Sequence, residues 1–183
     1  MGALGDAGAV ATNDETFYNV IKSISNYGGI VKYNYDYKGL NSRMDEIQAA
    51  ILKIKLKFIE NENNRRREIA KIYCENIKND KIVMPINVDS NFFNSILSLS
   101  HVWHLFVVRT KNRDEFQNFL FENNIQTLIH YPIPIHKQNC YPELNSLHLP
   151  ISESISNEIL SLPISPVLSD SDALKITEII NKF

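Results

Sequence analysis

The chain has 183 residues, 44% of them hydrophobic and 22% charged, which suits one globular domain or a small domain joined to part of another. Its 19 basic and 21 acidic side chains leave a net charge of −2, so there is no overall positive field to attract nucleic acid or an anionic membrane. No run approaches the roughly 18 apolar residues that a membrane-spanning helix needs. Residues 1–8 lack the pattern of a secretory signal, and the two cysteines form no CxxC pair. We therefore expect a cytoplasmic protein that binds no nucleic acid, membrane or metal.

The first forty residues predict a short strand, a helix and an ordered loop. The apolar run 9–12 is typical of a buried strand, and Asn13 or Asp14 can cap a helix over residues 15–25 that carries one apolar face. Residues 32–39 are polar and rich in tyrosine, without a helical period. Because tyrosine rings need a surface to pack against, we expect this segment to be an ordered loop.

The segment 42–79 predicts one long helix. Ser42 and Asp45 match a capping box at its start, and apolar residues recur at helical spacing toward both of its ends. Its middle, residues 60–68, is almost wholly polar, so we expect that part to be solvated while both ends pack. Since a long helix with two apolar ends usually joins two bodies, we place the domain boundary here, between residues 1–41 and 80–183.

Residues 80–183 predict a small α+β domain. Residues 101–109 are apolar on both faces, which is typical of a central strand. The other predicted elements are, in chain order, a helix at 113–123, a strand at 126–129, a proline-rich irregular loop from Pro132 to Pro150, a short helix at 154–160 and a last helix capped by Ser169.

Arg43 is the first candidate binding residue. The predicted helix start places it in the first turn, where the positive end of the helix dipole disfavours a cation by up to about 1 kcal/mol. The Arg43 guanidinium, the Asn41 amide and the free backbone N–H groups of a helix start together describe a site for phosphate or diphosphate. The alternative is purely local: Asn41 or Ser42 only caps the helix, and Arg43 pairs with an acidic neighbour such as Glu46 or Glu15.

Histidines supply the other candidates. Residues three apart on a strand point to opposite faces, so we expect His101 and His104 to be structural rather than ligands of one metal ion. His130, Tyr131 and His136 lie in the proline-rich loop, where stiffened backbone can place hydrogen-bonding groups over a polar ligand. The alternative is a surface loop that carries histidines incidentally.

A basic triplet, residues 65–67, raises the alternative of a nucleic-acid-binding helix. Glutamates at positions 60, 62 and 68 surround the triplet, and the net charge of the chain is negative. We therefore interpret it as a solvated helix face.

Several segments, matched in order along nearly the whole chain, resemble the C-terminal half of the DegT/DnrJ/StrS family of pyridoxal-phosphate sugar aminotransferases. They are residues 2–8 (GALGDAG), 26–28, 39–50 (GLNSRMDEIQAA), 65–70, 101–109, 130–138 (HYPIPIHKQ) and 160–164 (LSLPI). The resemblance implies an α/β fold, a fragment of the PLP-dependent transferase fold of aspartate aminotransferase type I. Residues 1–41 would be the remnant of the large PLP-binding domain, 42–79 the connecting helix and 80–183 the small α+β domain.

The resemblance also implies residue roles and partners. Asn41 matches the asparagine that reaches across a homodimer interface to the phosphate of the cofactor, pyridoxal 5'-phosphate. Arg43 matches an arginine that helps to bind the nucleotide sugar, His130 and Tyr131 match a pair near the sugar in the partner's active site, and His136 is a further substrate-binding candidate. The substrates implied are glutamate and a nucleotide-diphosphate keto sugar, with the loop favouring the dTDP-3-keto-6-deoxyhexose branch, in surface polysaccharide or amino-sugar biosynthesis.

Some family residues have no match: the catalytic lysine, the aspartate that pairs with the pyridine nitrogen of the cofactor and the aromatic residue that stacks on its ring. The lysine that forms the Schiff base with the cofactor precedes the segment matched by residues 2–8, so it would fall upstream of Met1, and we assign no catalytic residue. We expect the 183 residues to be inactive alone. The alternative is a non-catalytic module that binds nucleotide sugars or dimerises.

Overall fold

The structure is a computed structural model that describes residues 2–86 and 100–183. The chain divides into two compact units, Met1–Ile59 and Glu60–Phe183. Within the described ranges, no helix combines the length and the apolar character needed to cross a membrane.

The first unit begins with irregular backbone followed by helix α1, Glu15–Ile24. Asp14 caps α1, because its carboxylate accepts a hydrogen bond from the Phe17 N–H at 2.9 Å, so the predicted cap and helix are confirmed. The strand predicted at 9–12 is wrong, since these residues are exposed and adopt no strand. A four-residue apolar run forms a strand only where a neighbouring strand pairs with it, and the described part of this unit offers none.

Helix α2, Glu46–Lys55, begins later than predicted. Its N-cap is Asp45, which makes no side-chain capping bond, so the capping box predicted at Ser42 is wrong. Pairing with another segment takes precedence at this point: Asn41 forms an antiparallel bridge with Asn26, and the Ser42 N–H donates to the Ser25 carbonyl at 2.9 Å. Arg43 therefore precedes the helix, and the argument from the helix dipole does not apply to it.

The backbone stays helical from α2 through a single 3-10 turn, Leu56–Phe58, into helix α3, Ile59–Asn76. The long helix predicted over 42–79 is therefore confirmed except at its ends. Its polar middle is partly exposed, and Ile69, Ala70 and Tyr73 toward its end are fully buried. The packing predicted for its beginning is wrong, because α2 has no buried residue and Ile47 and Ile54 are 75% and 59% exposed. The division between the two units falls within this helical run.

The second unit contains a two-stranded antiparallel sheet of β1, Phe106–Arg109, and β2, Ile159–Leu162. Single bridges extend it on both sides, from Val83 to Arg109 and from Leu128 to Ser161. The strand predicted at 101–109 is thus confirmed only over its second half. The prediction that both faces of this strand are buried is wrong, because buried and half-buried residues alternate along β1. The strand predicted at 126–129 reduces to one bridge.

Helices α4, Arg113–Glu122, α5, Pro150–Glu158, and α6, Asp170–Ile180, complete the second unit. The helices predicted at 113–123 and after Ser169 are confirmed, and Ser169 accepts a capping bond from the Asp172 N–H. The helix predicted at 154–160 lies earlier, because Pro150 starts it at the first helical position and the buried Leu160 belongs to β2.

The buried core lies in the second unit. Every large apolar side chain that is fully buried in the described residues comes from Ile69 onward. Members from five elements are Ile69 and Tyr73, Phe106 and Val108, Phe116 and Leu120, Leu160, and Ile176 and Ile180. Tyr73 fixes the register of α3, since its ring meets Phe106 edge-on at 5.0 Å and its hydroxyl donates to the Pro163 carbonyl at 2.6 Å.

Candidate functional site

Arg43 is held by two asparagines rather than by an acid. Its Nε donates to Asn41 Oδ1 at 2.9 Å, and its Nη1 donates to Asn26 Oδ1 at 3.1 Å. The guanidinium also lies 5.7 Å from the centre of the Tyr27 ring, a distance at which a cation–π interaction is favourable. The acidic pairing considered for Arg43 does not form: among the described residues Arg43 makes no ion pair. Its full positive charge is left for a ligand.

The backbone that positions these residues is a closed loop, residues 26–41. Asn26 and Asn41 pair at its base, and the Tyr27 N–H donates to the Leu40 carbonyl at 3.0 Å. Gly28 has φ +98, and a Cβ there would collide with the carbonyl of Tyr37. The close approach of the chain here requires a residue without a side chain. The predicted loop is confirmed, since the Asp36 and Tyr37 N–H groups both donate to the Gly28 carbonyl. The packing predicted for its tyrosines is wrong, because Tyr33, Tyr35 and Tyr37 are 46–79% exposed.

A cavity of about 730 Å³ opens beside the Asn41–Arg43 pair within the first unit. Residues 6–10, Lys22, Asn41 and Arg43 contribute to its lining. Lys22 and Arg43 bring two positive charges against the single carboxylate of Asp6, so the cavity favours an anion. Among the described residues, Asn41 Nδ2 and Arg43 Nη2 have no hydrogen-bond partner, which leaves two donors for a ligand's oxygens.

His130 and Tyr131 lie in the second unit, directly before the proline-rich segment. His130 Nδ1 is 2.8 Å from the hydroxyl oxygen of Ser161 on β2, which fixes the ring against the sheet. Tyr131 is 82% exposed and has φ +59, a left-handed conformation that a non-glycine residue adopts only at some cost. The side chain of Tyr131 therefore projects toward solvent from a constrained backbone.

His136 differs from the other candidates because it is buried. It is 3% exposed, and its Nε2 lies 2.9 Å from Glu153 Oε1. Hydrogen bonds from the Leu149 N–H and from His136 lower the pKa of Glu153 from 4.5 to about 2. At neutral pH Glu153 is thus a carboxylate that only accepts, so His136 Nε2 carries the proton. The sequence analysis missed Glu153; an acid in the first turn of a helix that follows Pro150 is the signal that could have found it.

His101 is structural, as predicted, although the strand argument behind that prediction is wrong because residues 101–105 form no strand. Its Nδ1 accepts a hydrogen bond from the Trp103 N–H at 2.9 Å, and its ring lies 4.4 Å from the Trp103 ring. His104 is exposed and, with His130, lines a cavity of about 330 Å³. No group of three His, Cys, Asp or Glu side chains suited to a metal ion occurs in residues 2–86 and 100–183.

The basic triplet makes contacts within the second unit. Arg65 lies 2.6 Å from Asp170 and 2.9 Å from Glu68, Arg66 lies 3.9 Å from Glu62, and Arg67 donates to Asn64 at 2.7 Å. The Arg65–Asp170 pair joins α3 to the start of α6, and the other contacts join neighbouring turns within α3.

Comparison with known proteins decides the family. Residues 1–181 match the DegT/DnrJ/EryC1/StrS aminotransferase family. The chain belongs to this family. The resemblance drawn from its motifs is confirmed. Members of the DegT/DnrJ/EryC1/StrS family are pyridoxal-phosphate-dependent sugar aminotransferases of fold type I, so the intact family member is an enzyme and the predicted fold class is confirmed.

Two relatives illustrate the match. The chain is 50% identical over 176 residues to the dTDP-3-amino-3,6-dideoxy-alpha-D-galactopyranose transaminase of Aneurinibacillus thermoaerophilus, covering 96% of this chain and 46% of that protein. It is 37% identical to the dTDP-3-amino-3,4,6-trideoxy-alpha-D-glucose transaminase of Streptomyces venezuelae, covering 100% of this chain and 47% of that protein. The chain therefore spans about half the length of the relatives it matches.

Solved structures of the family agree. The crystal structure of S. venezuelae DesV in complex with a ketimine intermediate matches with a TM-score of 0.87 and 36% identity over 99% of this chain and 47% of that one. NtdA from Bacillus subtilis, with bound cofactor PMP, matches with a TM-score of 0.83 and 29% identity over 98% of this chain and 42% of that one.

The donor chemistry of the first-unit cavity suits a phosphate group, which both the family's cofactor and a nucleotide sugar carry. A phosphate group needs several N–H donors and positive charge, and Asn41 Nδ2, Arg43 Nη2 and Lys22 provide them at the same cavity. The described residues of the two units supply the predicted binding side chains separately: Asn41 and Arg43 in the first, His130, Tyr131 and His136 in the second. The roles of these five residues remain predictions.

Proposed function

We propose that these residues form the carboxyl-terminal portion of a PLP-dependent aminotransferase that transfers an amino group from glutamate to a dTDP-linked 3-keto-6-deoxyhexose. The product would supply a surface polysaccharide or another amino-sugar pathway. The observation that carries the proposal is the 50% identity, over 176 residues, to a relative named as a dTDP-3-amino-3,6-dideoxy sugar transaminase. A second 3-amino sugar transaminase, 37% identical, supports the position of amination.

In this proposal the cofactor, once bound, provides the electron sink that lets the amino group move between carbons. Asn41 binds the cofactor phosphate through its free amide N–H groups. Arg43, fixed in direction by Asn41 and Asn26, binds a phosphate oxygen of the nucleotide sugar through Nη2. His130 and Tyr131, in the second unit, contact the sugar in the active site of the partner subunit, and the ring of His130 is kept in place by Ser161.

The remaining machinery comes from outside residues 1–183 in this proposal. Lys22 is the described lysine that shares the Asn41–Arg43 cavity, and it sits in the last turn of α1, 5.5 Å from the centre of the Tyr18 ring. In this proposal Lys22 balances the negative charge of a bound phosphate and does not form the Schiff base. We further propose a cytoplasmic homodimer, with Asn41 of one subunit completing the cofactor site of its partner.

The first test uses a chimera in which residues 1–183 replace the matched portion of the A. thermoaerophilus relative. This protein is called the chimera below. Glutamate and dTDP-linked keto sugars are supplied with PLP, and amino-sugar formation is followed by mass spectrometry. We expect amination of the 3-keto sugar at a rate within about tenfold of the parent relative and a slower reaction with the 4-keto isomer.

A folded, PLP-loaded chimera that aminates neither sugar, while the parent relative is active, would contradict the proposed function.

The 183 residues alone, mixed with PLP, should show no absorbance band of a lysine-bound cofactor. A band abolished by Lys22→Ala would overturn the assignment of the lysine to another segment. Tight calorimetric binding of a dTDP sugar by the isolated residues, without turnover of the chimera, would favour the binding-module alternative.

A further inference from the structure

We propose that His136 is a positioning residue for the nucleotide-sugar substrate: paired with Glu153, it pins the loop formed by residues 130–149 so that Tyr131 and His130 are held for the sugar. The inference deepens the proposed function and rests on it. It assigns His136 a role different from the direct substrate contact that the family resemblance implies.

Glu153 joins the two ends of this loop. Its Oε1 lies 2.9 Å from His136 Nε2, near the beginning, and accepts the Leu149 N–H at 2.9 Å, at the end. The side chain stands in the first turn of α5, which the buried Leu160 of the following strand anchors to the core. One carboxylate on a fixed helix therefore closes the loop at its base.

A second set of bonds stiffens the interior of the loop. Lys137 Nζ donates to the carbonyl oxygens of Asn145 and Leu147, both at 3.0 Å, and Gln138 donates to the Ile133 carbonyl at 3.1 Å. Apart from two 3-10 turns, Ile135–Lys137 and Pro142–Leu144, the loop has no regular structure. Its shape therefore depends on such side-chain contacts together with short-range backbone hydrogen bonds and the prolines.

Two further basic side chains lie close to Glu153. Lys137 Nζ lies 3.9 Å from Oε1, and His148 Nδ1 lies 3.5 Å from Oε2. Because the pKa of Glu153 is lowered to about 2, the carboxylate keeps its charge over the whole physiological range and remains an acceptor for His136. A charge-assisted hydrogen bond to a buried donor is stronger than a neutral one.

His136 and Tyr131 differ in burial, which separates the residue that holds the loop from the residue proposed to face the ligand. His136 is 3% exposed and its Nε2 is already bonded, whereas Tyr131 is 82% exposed. Between them lies a mostly apolar cleft of about 720 Å³, lined by His130, Tyr131 and His136 together with Ile135, Leu149 and Ile155. Loss of the His136–Glu153 hydrogen bond would let the residues around this cleft move. Tyr131 would then be displaced although no ligand contact had been removed.

The test measures the KM for each substrate of the chimera separately. His136→Ala should raise the KM for the keto sugar about tenfold, the scale of one lost hydrogen bond in a buried setting, and leave the KM for glutamate unchanged. His136→Gln, which can place an amide donor near the position of Nε2, should restore the sugar KM to within about threefold of the starting value. Glu143→Gln is the matched control and should change neither KM, because Glu143 is exposed in the same loop and its side chain makes no hydrogen bond or ion pair among the described residues.

The outcomes separate the possible failures. If the unmodified chimera is inactive, the proposed function fails first. If the chimera is active and His136→Gln loses sugar binding as fully as His136→Ala, the imidazole itself contacts the ligand and the positioning role is overturned. Should His136→Ala not fold, Lys137→Met provides the second variant. It removes the two interior bonds that Lys137 donates and should raise the sugar KM alone, and an unchanged sugar KM would overturn the inference.

Discussion

Asn26 is not itself a predicted ligand contact, but it sets the direction of Arg43, which is one. Its Oδ1 accepts from Arg43 Nη1 at 3.1 Å, and its Nδ2 donates to the Gly29 carbonyl at 2.7 Å. The amide therefore ties the guanidinium to the closed loop. Nothing in local sequence spacing links positions 26 and 43, so this contact could not be predicted from the sequence.

Replacing Asn26 by alanine in the chimera should weaken binding of dTDP, measured by calorimetry, by about three- to tenfold, because Arg43 loses one of its two fixing bonds. Asn34→Ala is the matched control, since the Asn34 side chain lies in the same loop and is exposed. Equal affinity of the Asn26 variant and the control would show that Arg43 does not depend on Asn26.

Glu153 gives a pH dependence of stability with a defined sign. Its pKa is lowered from 4.5 to about 2 in the folded protein, so its stabilising contribution is present above pH 4.5 and is lost as the pH falls toward 2. In urea denaturation of the chimera, the gap in unfolding free energy between the starting protein and Glu153→Gln should shrink across this interval.

The control for this measurement is Glu143→Gln. The Glu143 carboxylate makes no hydrogen bond or ion pair within the described residues. The difference in unfolding free energy between the starting protein and Glu143→Gln should therefore not change with pH. A gap for Glu153→Gln that is constant from pH 6 to about pH 2.5 would contradict the account of this carboxylate.

At the scale of elements, the closed loop of residues 26–41 depends on glycine. A Cβ at Gly28 would overlap the Tyr37 carbonyl, and the φ of +98 disfavours any side chain. Gly28→Ala should therefore destabilise the chimera by about 1–3 kcal/mol and lower its Tm. Gly8→Ala, where a Cβ would meet nothing within 4 Å, should leave the Tm unchanged; the same Tm shift in both variants would refute the steric argument.

The elements also show what the sequence could and could not predict. Helices with a side-chain cap, such as α1 after Asp14 and α6 after Ser169, were predicted correctly because the cap is a local interaction. The start of α2 was not, because residues 41 and 42 pair with residues 25 and 26 instead of capping the helix. Strands 9–12 and 126–129 were overpredicted, since strand formation depends on partners distant in the chain.

The candidate site divides in the same way. The motif resemblance found Asn41, Arg43, His130, Tyr131 and His136 from residue type and order. The partners that position these residues, Asn26, Ser161 and Glu153, lie 17 to 31 positions from the residue each one holds. Such contacts arise from tertiary pairing, which periodicity and spacing do not encode.

At the scale of the whole molecule, the two units differ in how they bury apolar surface. Every buried apolar side chain among residues 2–86 and 100–183 belongs to the second unit, whereas Val10, Tyr33, Leu40 and Ile47 of the first are each more than 60% exposed. Apolar side chains of a unit without a buried core of its own gain stability when another segment or subunit covers them. We infer that the first unit is completed by the remainder of the enzyme.

The isolated 183 residues should consequently self-associate. Sedimentation velocity should show species that grow with protein concentration, and the chimera, which supplies the covering segment, should form a discrete dimer. A sharp monomer of the isolated residues at high concentration would contradict the inference that the first unit needs cover.

The central claim is that Asn41 and Arg43 bind the negatively charged groups of cofactor and substrate in an enzyme whose reactive amine lies elsewhere. The most direct measurement is PLP retention and turnover of the chimera carrying Asn41→Ala and Arg43→Ala together. Because each charged hydrogen bond contributes about 1.5–3 kcal/mol, we expect cofactor affinity to fall by about tenfold or more and turnover of the keto sugar to fall further. Unchanged retention and unchanged turnover in the folded double variant would contradict the account.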